Sequence, residues 1–116
     1  MSRLFDAEEI QSFAENDGDF YSEILRPTLF MLVRHQDRKT YDTTKGLRAF
    51  RQVADAASKW YWKELARQEP RAFATTPWHV LFETQEREKA AQLWEQEFCR
   101  RYRRGQYSRT KSKREN

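Results

Sequence analysis

The sequence predicts an all-α fold: a small bundle of four to five helices, followed by a basic, disordered C-terminal tail. Three observations carry this expectation. The chain of 116 residues holds only three Gly and three Pro, too few for a turn-rich β-sandwich or barrel. Leu47, Phe50, Ala54, Ala57, Tyr61 and Leu65 recur at steps of three and four residues, a helical apolar stripe sustained for about five turns. Ala91, Trp94, Phe98 and Tyr102 repeat that spacing near the C-terminus.

Taken in order, Asp6-Ala-Glu-Glu9 reads as a capping box, with acidic residues placed at the positive end of a helix dipole. Ile10 and Phe13 supply the apolar face of a first helix over residues 7–16, and Asn16-Asp17-Gly18-Asp19 breaks it. Asp19 is the expected cap of a second stretch from Phe20 to Arg26, which meets Pro27. Residues 28–37 then form either a fresh helix or the continuation of a kinked one; the five-residue apolar run is also compatible with a buried strand, and helix is the favoured reading. The long third helix is expected to start at an N-cap Thr43 or Thr44 and to stop before Pro70. Residues 71–76 read as a connection. Thr76-Pro77 looks like an N-cap followed by proline at the first helical position. The last helix begins there, or near Thr84 after a short Trp78–Phe82 segment, and Gly105 ends it as the residue past the cap. The expected layout is a helical domain over 1–105 and a flexible basic tail over 106–116.

Composition narrows the function classes. Aromatic residues at 15% exclude a fully disordered chain. One cysteine rules out an intramolecular disulfide framework and points to a reducing compartment. The longest apolar run, Leu29 to Val33, is far short of a membrane span, and the N-terminus lacks the apolar stretch of a signal peptide. The expectation is one soluble cytoplasmic domain.

No catalytic signature emerges, and the chain is read as non-enzymatic with no cofactor. His35, His79 and Cys99 lie 44 and 20 residues apart, which matches no paired-ligand spacing of a zinc site. Arg100 and Arg101 beside Cys99 are the setting of a reactive thiolate, but Phe98 places that cysteine at the flank of an apolar face, where packing is its expected role. Gly18, Gly46 and Gly105 are isolated, so no phosphate-cradling loop is present. Glu83 with Arg87, and Glu97 with Arg101, have the order that supports exposed helix faces.

Charge is distributed unevenly along the chain. Residues 1–25 carry a net −6 and residues 100–116 a net +7. On the third helix, Lys45, Arg48, Lys59, Lys63 and Arg67 share one sector opposite the apolar stripe, with Gln52 and Ala56 inside it, Asp55 at its margin and Trp60 beside it. Arg100, Arg101, Arg103 and Arg104, continued by Arg109, Lys111 and Lys113, exceed the one or two cations a helix C-terminus needs. The expected function is a nucleic-acid-associated binding module, on RNA or DNA, that contacts phosphates through both surfaces without reading sequence. The alternative is a small adaptor or inhibitor whose cations dock on an acidic protein surface, with Trp60, Trp62 or Trp78 as an apolar anchor. The nearly heptad rhythm of the third helix also suits a homodimer.

The stretch Asp42-Thr-Thr-Lys-Gly-Leu-Arg-Ala-Phe50 resembles the Thr-Thr-x-x-hydrophobic-Arg helix start of small helical subunits of type III CRISPR effector complexes. For a subunit of that kind the resemblance implies a role lining bound target RNA. The likeness covers under a tenth of the chain, and the Thr-Thr pair is also what a helix N-cap demands. No family membership is drawn from it.

Overall fold

The computed structural model describes residues 3–37 and 39–106. Among them there are helices and no strand, as the sequence predicts. Helix α1 spans Ala7–Asn16, α2 Gly18–Phe20, and a π-helical turn Tyr21–Leu25 leads into α3, Arg26–His35. Helix α4 runs Thr43–Gln68, the single turns α5 and α6 cover Pro70–Phe73 and Trp78–Leu81, and α7 spans Thr84–Arg103.

Helix α1 starts with the capping box read from the sequence. The Asp6 carboxylate accepts from the Glu9 amide at 2.9 Å, and the Glu9 carboxylate accepts from the Asp6 amide at 3.1 Å. The next cap is Asp17 rather than Asp19, because the Asp17 carboxylate accepts from the Phe20 amide at 2.9 Å. From there the chain continues helically through Pro27. Proline has no N–H to return to the preceding turn. The backbone meets it with a wide turn, in which the Arg26 amide reaches five residues back to the Tyr21 carbonyl. The Thr28 hydroxyl donates to the Ile24 carbonyl at 2.8 Å across the same stretch.

Helix α4 is capped by Asp42, not by Thr43 or Thr44, and its carboxylate accepts from the Lys45 amide at 3.2 Å. Gln36 explains the one-residue difference. Its side chain accepts from the Asp42 amide at 3.0 Å and donates to the Asp42 carbonyl at 2.9 Å. That clamp holds Asp42 extended, so the helix begins after it. The connection over 71–76 contains a helical turn of its own, α5. Pro77, extended at ψ 149°, is the cap of α6, while the Thr76 carbonyl takes the Trp62 indole N–H at 2.6 Å. Of the two expected starts for the last helix, Thr84 is the one found. Gly105 ends it at φ 79° with a bond from the Gln106 amide to the Arg101 carbonyl at 3.1 Å, a Schellman closure. The tail expected from residue 106 lies, beyond Gln106, outside the described residues.

Helices α4 and α7 pack antiparallel, and their seam is the centre of the molecule. Phe50, Val53, Ala54 and Ala57 of the α4 stripe are fully buried against Ala90, Ala91, Trp94 and Phe98 of α7. The Phe50 ring lies 6.2 Å from Trp94 and 6.0 Å from Phe98. Leu47, Tyr61 and Leu65 flank the stripe half-buried. Helix α1 lies along both, with Phe13 stacked on Tyr61 at 4.6 Å and the Trp94 indole donating to Glu15 at 3.0 Å. The Phe5 ring stacks on Phe82 at 4.7 Å and the Phe5 amide bonds the Leu81 carbonyl, which straps the N-terminus to α6. Each such ring, removed from water, contributes on the order of 1.5–3 kcal/mol.

One contact in the seam is unusually close. Gly46 is buried in α4, and a Cβ there would overlap the Tyr41 hydroxyl and stand 3.2 Å from its Cζ. The Tyr41 ring packs against the stacked pair Phe98 and Tyr102, 6.1 Å from each, which limits its room to withdraw. Its hydroxyl and Glu95 Oε2 are both buried without a hydrogen-bond partner. Burial first, then the adjacent Glu95 carboxylate, holds the Tyr41 phenol above its ordinary range.

Gly46→Ala therefore lowers stability by about 1–3 kcal/mol, even though alanine in a helix interior favours it by about 1 kcal/mol. Tyr41→Phe alone is near neutral, because it removes an unsatisfied hydroxyl. Added to the Gly46→Ala variant, the same Tyr41→Phe change recovers most of the loss. The coupling is about 1 kcal/mol or more, read from urea unfolding of the four proteins.

Candidate polyanion interface

The nine described cations of the two expected surfaces, Lys45, Arg48, Lys59, Lys63, Arg67, Arg100, Arg101, Arg103 and Arg104, are all exposed. Arg109, Lys111 and Lys113 lie outside the described residues. The antiparallel seam decides which of the nine are near one another. Tyr41 meets Tyr102 at one end, and Arg51 bonds Glu88 toward the other. Lys45 and Arg48 thus share an end of the bundle with Arg100–Arg104. Lys63 lies about 27 Å further along α4, at ~1.5 Å of rise per residue. The two basic surfaces meet at one end and part at the other.

Local pairing then separates cations that are committed from those that are not. Arg67 is paired with Glu64, and Glu97 takes both Arg100 and Arg101. Glu97–Arg101 is the helix-face pair read from the sequence. Arg103 is within electrostatic reach of the Tyr41 phenol. Among the described residues, Lys45, Arg48, Lys63 and Arg104 make no ion pair. The committed pairs are exposed and worth little individually, so a phosphate can replace the carboxylate at small cost. The Arg100 guanidinium holds the Glu97 carboxyl below its usual range, and Arg51 does the same to Glu88. Both ties are present above the ordinary carboxylate pKa and are lost as pH falls through the lowered one, so acid loosens the hold of Glu97 on Arg100 and Arg101.

Glu83 does not pair with Arg87, contrary to the expectation from their spacing. Arg87 turns across the seam to Asp55, bonding it at 2.8 Å, and also donates to the Phe82 carbonyl at 2.9 Å and the Thr84 hydroxyl at 3.0 Å. Its guanidinium lies 4.7 Å from the Trp78 ring centroid, and the Lys59 ammonium lies 5.1 Å from the same ring. Asp55, the one acid at the margin of the basic sector, is thereby neutralised. The sequence reading missed Arg87, whose acidic partner is 32 residues away. Of the three expected apolar anchors, Trp62 commits its N–H to the Thr76 and Phe73 carbonyls, and Trp78 is covered by Lys59 and Arg87. Trp60 is half-buried, with the Phe20 ring edge-on at 5.3 Å.

Among the described residues no group of three His, Cys, Asp or Glu converges to hold a metal ion. His35 and His79 are exposed, and Cys99 is a half-buried free thiol packed at the edge of the core. No described helix is long and apolar enough to cross a membrane. Comparison of the chain with protein-family models, curated proteins and solved structures finds no match.

Arg87→Met keeps the apolar stem near Trp78 but leaves the Phe82 carbonyl and Asp55 without their donor. It is expected to cost about 2 kcal/mol, whereas Asp55→Asn, at a half-exposed carboxylate, costs under about 1 kcal/mol. Thermal unfolding of the two variants checks the order.

Proposed function

We propose that the chain is a non-enzymatic module that binds nucleic acid through its phosphate backbone. The observation that carries this reading is the outer face of α4. Its exposed Lys45, Arg48 and Lys63 have no ion pair among the described residues, and Asp55 is drawn away by Arg87. Cations held on a rigid helix and left unneutralised gain most from releasing the counterions condensed on a polyanion. Arg100–Arg104 extend the surface at the Lys45 end, and the basic residues Arg109, Lys111 and Lys113 follow them in sequence. Backbone contacts of this kind carry no sequence information, so the binding is sequence-tolerant. The reading assigns no catalytic step and no cofactor. It places the module in the cytoplasm, on the support of a single free cysteine.

A second reading, docking of an acidic protein partner, has one specific observation in its favour. Helix α3 exposes Phe30 at 64% and Met31 at 46%, and Arg26, Phe30 and Arg34 follow one another at helical spacing. An apolar patch flanked by arginines is the anatomy of a protein hot spot.

Fluorescence anisotropy with labelled single-stranded RNA, single-stranded DNA and duplex DNA over a salt series tests the choice. Binding at physiological salt is expected, falling steeply as salt rises. Lys45→Gln, Arg48→Gln and Lys63→Gln together reduce the slope of log affinity against log salt by roughly two to three. Arg109→Gln, Lys111→Gln and Lys113→Gln measure the share of the C-terminal residues in the same way. Absence of binding to all three probes overturns the reading. A protein partner whose affinity survives high salt and is lost in Phe30→Ala/Met31→Ala supports the second one.

A further inference from the structure

Phosphate contacts alone do not distinguish a duplex from a single strand, and the far end of α4 carries a second feature that bears on the choice. Ala56, Lys59, Trp60, Lys63, Glu64 and Arg67 line a shallow groove of about 490 Å³. Ala56 precedes Trp60 by one helical turn on the same face, and its small side chain leaves the indole uncovered from that side. The fully buried Phe20 ring packs against Trp60, with centroids 5.3 Å apart at 87°. That contact anchors the half-buried indole, which reduces the side-chain freedom lost when a ligand ring lies against it. Lys63 stands unpaired on the rim, and Lys59 is engaged only through the Trp78 ring. Glu64 is the single carboxylate there, and it is taken up by Arg67 and Gln68.

The other three tryptophans are not available for the same purpose. Trp94 is 6% exposed, Trp62 is tied to two carbonyls and Trp78 carries two cations over its ring. A flat, anchored aromatic surface flanked by unneutralised ammonium groups matches the chemistry of one unstacked nucleobase with its flanking phosphates. Bases inside a duplex are stacked on each other and cannot offer a face. Resting on the binding function proposed above, we infer that the ligand is single-stranded nucleic acid, with one base seated on Trp60 in this groove and its phosphates on Lys63 and Lys59.

The test uses the full chain with an oligothymidylate of about 12 nucleotides and with the duplex it forms with its complement, lengths typical of single-strand sites. Affinity is read by anisotropy, and stacking by quenching of tryptophan fluorescence. The single strand is expected to quench the wild-type protein, and Trp60→Leu to remove most of that quench. Ala56→Leu fills the groove without removing a cation. It weakens single-strand binding about tenfold, the order expected for losing one stacked base, and leaves duplex binding within about twofold. Because Ala56 is only half-buried, this variant keeps the proposal testable even if Trp60→Leu loosens the Phe20 contact. If both variants weaken single strand and duplex alike, or neither changes the single strand, the stacking site is overturned while phosphate binding stands. If the wild-type protein binds neither probe, both proposals fall.

Discussion

The close antiparallel approach of α4 and α7 is the constraint on which the rest of the molecule depends. It is lined by the small, fully buried residues Ala54, Ala57, Ala90 and Ala91, while Gly46 leaves room for the Tyr41 ring. Between those small positions Phe50, Trp94 and Phe98 interlock, so the seam is both close and filled. Helix α1 can lie along the pair only because the seam leaves Tyr61 and Trp94 presenting a ring and an N–H on its side. The loop before α4 is placed by the same seam. The Tyr102 hydroxyl donates to the Gln36 carbonyl, and the Gln36 side chain then holds both backbone groups of Asp42.

That packing also sorts the charges. A chain with 22 basic and 18 acidic residues has enough carboxylates to neutralise most of its cations, and which remain free is decided by geometry rather than by composition. Glutamates one turn away capture Arg67, Arg100 and Arg101, while Asp55 is captured from α7. On the outer face of α4, the nearby Asp42 carboxylate is used in capping the helix and Glu64 is taken by Arg67 and Gln68, which leaves Lys45 and Lys63 without an ion pair among the described residues. A basic surface is what this local pairing leaves over.

Much of the fold was legible in the sequence, for reasons that are local. The Asp6–Glu9 capping box, the two apolar stripes and the Gly105 stop each depend on residues within a turn of one another, and all three are found. The misplaced caps share a different cause. Thr43 and Asp19 are sound caps in isolation, but Asp42 and Asp17 win because Gln36 and the close of α1 fix the backbone just ahead of them. Arg87 illustrates the same limit in the site. Its spacing from Glu83 suggests a helix-face pair, and only the crossing of α4 brings Asp55 into reach instead. The exposed positions of the α4 cations followed from periodicity. The distribution of partners among them did not, because that is a property of the neighbouring helix.

The π turn before Pro27 has a consequence for symmetry around the α3 axis. Leu29-Phe30-Met31-Leu32-Val33 is apolar at five consecutive positions, enough to cover the whole circumference of a helix at about 100° per residue. No rotation of such a segment can hide all five side chains against a single neighbour. A wide turn resets helical phase, because it takes up one more residue than an α-turn does. In the phase it sets, Leu32 points inward and Phe30 and Met31 point out. The turn thus works as a phase selector: it does not determine whether apolar surface is shown, only which two side chains the molecule shows.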